Sequence, residues 1–72
     1  MFNKNIFSAR LKQLRISRNL KQEDIGQLLS VTKTQISDME TGRRTTTLDN
    51  LVKLAEFYNV TTDYILGLTD KQ

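Results

Sequence analysis

Lys33, Thr34, Ser37, Asp38 and Thr41 fall at i, i+1, i+4, i+5 and i+8, a spacing that lines five polar side chains along one side of a single α-helix. All five can hydrogen-bond, and only Lys33 is long. Short donors and acceptors in a row suit the reading of base edges in the DNA major groove, where each base pair presents its own pattern of donors, acceptors and methyl groups. Ile36 and Met39, with Val31, point the other way. The chemistry on offer is recognition. Without His or Cys the chain lacks the usual acid/base of neutral pH, a thiol nucleophile and the common zinc ligands. The sequence therefore predicts a protein that is not an enzyme and needs neither metal nor cofactor.

Charge supports an anionic partner through its distribution more than its total. Eleven Lys and Arg against eight Asp and Glu give a net charge of only +3 over 72 residues. Residues 1–47, however, hold nine basic and four acidic side chains, a net of +5, whereas residues 48–72 hold Lys53 and Lys71 against Asp49, Glu56, Asp63 and Asp70, a net of −2. The N-terminal part suits phosphates and the C-terminal part some other contact. The chain length predicts one domain over residues 1–72. The absence of an apolar run near 18 residues predicts neither signal peptide nor membrane span, hence a cytoplasmic location.

The elements that must position the stripe are all helical. Phe7, Leu11 and Leu14 recur at helical spacing after Asn3 or Asn5, either of which can cap, and Asn19 can take the left-handed conformation that stops a helix, so the first spans roughly 6–18. Glu23 and Asp24 favour the start of a second helix, with Leu20 and Ile25 as a hydrophobic staple, running to about Leu29. Thr32 and Gln35 form a capping box for the third, from Lys33 to near Gly42. Leu48, Leu51, Leu54, Ala55 and Tyr58 line a fourth between Thr47 and Asn59, and Thr61 opens a short fifth that closes at Gly67. Helices two and three, joined by Ser30-Val31-Thr32, have the layout of a helix-turn-helix, whose second helix enters the major groove.

The segments R-L-K-Q-L-R (10–15), L-K-Q-E-D-I (20–25), V-T-K-T-Q-I-S-D-M-E-T-G (31–42), L-x-x-L-V-K-L-A (48–55) and N-V-T-T-D-Y-I-L-G (59–67) resemble the lambda-repressor-like (Cro/CI and Xre) helix-turn-helix regulators of phages and bacteria over about residues 8–67. The resemblance implies an all-α, five-helix domain that binds double-stranded operator DNA, usually as a two-fold homodimer, to repress or switch transcription. It implies base-reading positions at Lys33, Thr34, Ser37 and Asp38. Phosphate contacts are implied for Arg10, Arg18, Asn19, Gln22, Thr41, Arg43 and Arg44, with Gln22 also bracing the recognition helix. Arg15 and Glu40 match an internal ion pair.

Some residues depart from the family pattern. Lys21 stands at the second helix's cap in place of Thr or Ser, Gly26 in place of Ala and Ser30 in place of Gly, and the loop after Arg44 lacks a Pro. Asp38 would repel phosphate unless it accepts from a cytosine amino group or pairs with a neighbour. It leaves a second reading open, a phage modulator or anti-repressor that binds another regulator through the same fold, with an antitoxin as a third. A specific operator needs two recognition helices about 34 Å apart. Tyr64, Ile65 and Leu68, crowded into the acidic C-terminal part, are therefore expected at the dimer or partner interface.

Overall fold

In the computed structural model, which describes residues 1–72, the chain forms α1 (Lys4–Ser17), α2 (Gln22–Leu29), α3 (Lys33–Glu40), α4 (Leu48–Tyr58) and α5 (Thr62–Leu66), with no strand. Four short side chains set where helices begin. Asn3 Oδ1 accepts from the N–H groups of Asn5 at 2.9 Å and Ile6 at 3.2 Å, so α1 starts two residues before the expected position and Asn3, not Asn5, is its cap. Thr32, Thr47 and Thr61 accept from Gln35, Asn50 and Tyr64 at 3.0–3.1 Å, and Gln35 Oε1 closes the capping box by accepting from the Thr32 N–H at 3.1 Å. Such caps contribute about 1 kcal/mol each. Lys21 has no acceptor to offer at α2, and only the reverse bond forms, from its N–H to Asp24 Oδ2 at 2.8 Å.

Left-handed residues end the helices. Asn19, Ser30 and Asn59 have φ of 57° and Gly67 has φ of 81°. Ser30 holds this conformation without glycine's freedom, at a cost of roughly 1–2 kcal/mol. Gly26 has a different reason to be glycine. A Cβ there would lie 2.8 Å from the Val31 carbonyl oxygen, while the Val31 N–H donates to the Gly26 carbonyl at 2.9 Å. The turn thus folds directly onto α2, and the contact sets how α3 leaves it.

The core joins all five helices. Phe7, Leu11 and Leu14 of α1 meet Ile25 and Leu29 of α2, Ile36 and Met39 of α3, Leu51, Leu54, Ala55 and Tyr58 of α4, then Val60 and Ile65. α3 packs on both α1 and α2, and α5 on both α1 and α4. Ile65, expected at an interface, is 0% exposed: α5 is so short that its one inward position must be filled by the core. Phe7 and Tyr58 are core residues, while Phe57 remains about half exposed. No helix is long and apolar enough to cross a membrane.

Candidate nucleic-acid interface

α3 presents two unlike sides because its inner side is consumed. Ile36 and Met39 are buried, at 1% and 4% exposed. Opposite them Lys33, Thr34 and Thr41 are exposed, and Ser37 and Asp38 half-buried. Thr41 Oγ1 donates to the Ser37 carbonyl at 3.0 Å, so its hydroxyl proton is used within the helix and its acceptor capacity is free. The Asp38 carbonyl accepts from the N–H groups of Arg43 at 2.9 Å and Arg44 at 3.3 Å. With Gly42 at φ 84°, the loop folds back on the last turn of α3 and holds two exposed arginines beside the stripe.

Behind the stripe, α3 is tied to α1. Arg15 Nε donates to Glu40 Oε2 at 2.7 Å and its Nη2 to Oε1 at 3.0 Å, a bidentate pair whose side chains are 13% and 5% exposed. Arg15 Nη1 donates to the Leu20 carbonyl at 2.9 Å, and Gln22 Nε2 to Glu40 Oε1 at 3.2 Å. The Glu40 carboxylate thus accepts three bonds that join α1, α2 and α3, and Arg15 adds the Leu20 carbonyl of the α1–α2 turn. The bonds to Glu40 raise the Arg15 pKa against the opposing effect of burial. Burial, helped by the Glu40 charge, pushes Tyr58 up to about 12.

The other positions fall into separate groups. Arg18 Nη2 donates to the Tyr58 carbonyl at 2.8 Å yet the residue remains largely exposed beside Asn19 at the α1–α2 turn. Gln22 turns its amide to Glu40, which is the bracing role. Arg10 departs most from expectation. Its guanidinium donates to the carbonyls of Tyr64 and Thr69 and to Asp70 Oδ1, and stacks 4.2 Å from the Tyr64 ring centroid. A side chain 16% exposed with these partners is committed to the C-terminal tail and is not offered to phosphate. Periodicity could not anticipate this, because the partners lie 54 to 60 residues away. Tyr64 is half-buried under Arg10, whereas Leu68 is 59% exposed.

Two features beside the stripe escaped the sequence reading. Arg44, Thr45, Thr46, Thr47 and Asn50, with Val31, Gln35 and Met39, line an open concavity of mixed character next to α3. In the sequence its signal is the run Thr45-Thr46-Thr47 between α3 and α4. Glu23 Oε1 lies 4.0 Å from Lys33 Nζ, bridging the two helices at the stripe's edge.

Residues 11–65 match the helix-turn-helix family HTH_3. The chain is 38% identical over 65 residues to the HTH-type transcriptional regulator YobD of Bacillus subtilis (strain 168), covering 90% of this chain and 58% of that protein. It is 32% identical over 65 residues to the control protein C.BamHI of Bacillus amyloliquefaciens, covering 89% and 80%. The chain spans between 30% and 58% of the length of three of its curated relatives. Its fold is that of the P22 c2 repressor protein, solved in complex with synthetic operator 9T, with a TM-score of 0.77 at 23% identity over 83% of this chain and 91% of that one. A helix-turn-helix formed by α2 and α3, a family match across most of the chain, and relatives of this length and identity lead to one assignment: the chain belongs to the HTH_3 family of helix-turn-helix proteins.

Proposed function

We propose that this chain is the sequence-specific DNA-binding part of a transcriptional regulator of repressor or Cro-like type, acting in the cytoplasm on operator DNA. One observation carries the reading: α3 exposes an unbroken polar stripe while its opposite side and last turn are fixed by the core and by Glu40. A rigid helix with short hydrogen-bonding groups facing outward is pre-organised for a groove. Lys33, Thr34, Ser37 and Asp38 face base edges in this reading, with Asp38 accepting from a cytosine amino group. Thr41, Arg43 and Arg44 meet phosphates beside α3, and Arg18 with Asn19 those beyond the α1–α2 turn. The names of YobD, a transcriptional regulator, and of the operator-bound P22 c2 repressor support it. Two copies joined through the acidic part, with Leu68 and the outer edge of Tyr64 at the contact, would present two recognition helices to a two-fold operator.

The test is a binding series on duplexes selected from a random pool by the chain itself. Lys33→Ala is expected to relax the choice of base at one position, losing roughly 1–3 kcal/mol of discrimination. Arg43→Ala is expected to weaken binding to all sequences alike and to flatten the salt dependence by about 0.9 in log-log slope. Unchanged base preference in Lys33→Ala overturns the assignment of α3. Failure to bind any duplex, together with retention of another regulator in a pull-down, would transfer the stripe to a protein partner.

A further inference from the structure

The pair formed by Glu23 and Lys33 does little for the fold. Both side chains are 64% exposed and the charged atoms are 4.0 Å apart, and a pair of that kind changes an equilibrium by a factor of only about 1.4–5. Its placement is more informative. Lys33 is the first residue of α3, where the helix dipole disfavours a cation, and Thr32 already supplies the cap. Nothing in helix formation calls for a lysine there. Glu23 lies in the first turn of α2, where an anion is favoured. The neighbouring carboxylate of Asp24 is taken by the Lys21 N–H at 2.8 Å, which leaves Glu23 as the acid within ion-pair distance of Lys33. The turn seated on Gly26 keeps the two helix starts in fixed relation, so this reach is built into the fold.

We infer that Glu23 is a positioning residue for specificity, one that holds the Lys33 ammonium over the groove and away from the DNA backbone. The inference rests on α3 reading DNA. A lysine ammonium has three donors. At 4.0 Å Glu23 attracts the ammonium without engaging a donor, so donors remain for the O6 and N7 acceptors of a guanine and the pair persists when the right base is present. On other sequences Lys33 could gain binding only by swinging to a phosphate, which requires breaking the pair and bringing the Glu23 carboxylate towards the same phosphates. The acid thus suppresses sequence-independent attraction and leaves the base contact intact.

The experiment compares four proteins, the parent, Glu23→Gln, Lys33→Met and the double variant. Each is titrated against the duplex selected by the parent and a scrambled duplex of equal composition. Thermal melts accompany the titrations and are expected to coincide for the parent and Glu23→Gln, since the pair is exposed. Glu23→Gln is expected to bind the scrambled duplex about two- to fivefold more tightly, to steepen its salt slope by close to 0.9, and to lower the selected-to-scrambled ratio by a similar two- to fivefold. In the Lys33→Met background the same change is expected to leave that ratio alone, because general repulsion by Glu23 acts on both duplexes. An unchanged ratio in the parent background, or an equal fall in both backgrounds, overturns the inference while leaving DNA binding standing. Recovery of no duplex by the parent overturns the DNA reading and the inference with it.

Discussion

Two arginines of α1, five residues apart, are buried to nearly the same extent and are held in opposite ways. Arg15, 13% exposed, meets a carboxylate that is itself 5% exposed, and the pair shares its remaining hydrogen bonds with Leu20 and Gln22. Arg10, 16% exposed, meets two backbone carbonyls and the face of Tyr64, and its acidic partner Asp70 is wholly exposed. The first arrangement places one buried charge against another, so neither can lose its partner without stranding the other. The second surrounds one charge with dipoles and a ring that are in place for other reasons. The two also serve different ends of the molecule. Arg15 fixes the last turn of α3 and with it the stripe, whereas Arg10 draws the tail onto α1, and the Thr61 N–H at the start of α5 finds the Gln72 carbonyl at 2.9 Å.

The largest expected effect separates the two sites. Glu40→Ala strands Arg15 and is expected to cost roughly 3–5 kcal/mol in urea unfolding. That is a large part of the stability of a domain this size. A loss below about 1 kcal/mol would mean that water reaches the pair and that the two arginines are equivalent. The alkaline limb sharpens the same contrast, since Tyr58 lies on the Arg15 side. Its folded pKa of about 12 stands above the ordinary 10, so the unfolded chain releases the proton first. The associated stability is present in full below pH 10 and is lost as pH rises towards 12, by about 2–3 kcal/mol. Melts across that range are expected to fall more steeply for the parent than for Tyr58→Phe. The smallest effect belongs to the tail. Arg10→Met keeps the apolar stem and is expected to cost about 2 kcal/mol through lost hydrogen bonds to a charged donor, while Asp70→Asn is expected to leave the melt where it was. Equal losses from the two would show that the exposed acid, not the carbonyls, holds Arg10.

Helix existence and order were legible in the sequence because their causes are local. Thr32 with Gln35, Thr47, Thr61, Asn19 and Asn59 act within a few residues of themselves, and the apolar positions recur at the helical period whatever the rest of the chain does. The shifted start of α1 lay between two candidate asparagines that differ only in which one the backbone leaves extended; Asn3 has φ of −113° and ψ of 107°. The stripe was legible for the same reason, being a property of one helix. Arg10 and Ile65 were not. A half-apolar fifth helix of five residues can turn either of two sides inward, and its packing on both α1 and α4 settles which.

By itself, then, the sequence determined five helices, the helix-turn-helix they contain, the polar side of α3 and the split of charge between the two parts of the chain. These follow from period, capping and composition, which act over one to four residues. Only the tertiary structure decided that Arg10 holds the tail, that Ile65 fills the core while Leu68 stays outside, and that Glu23 reaches Lys33 across the turn. Each of these depends on atoms brought together from distant or separately folded segments, where burial and charge pairing, and no local preference, set the energy.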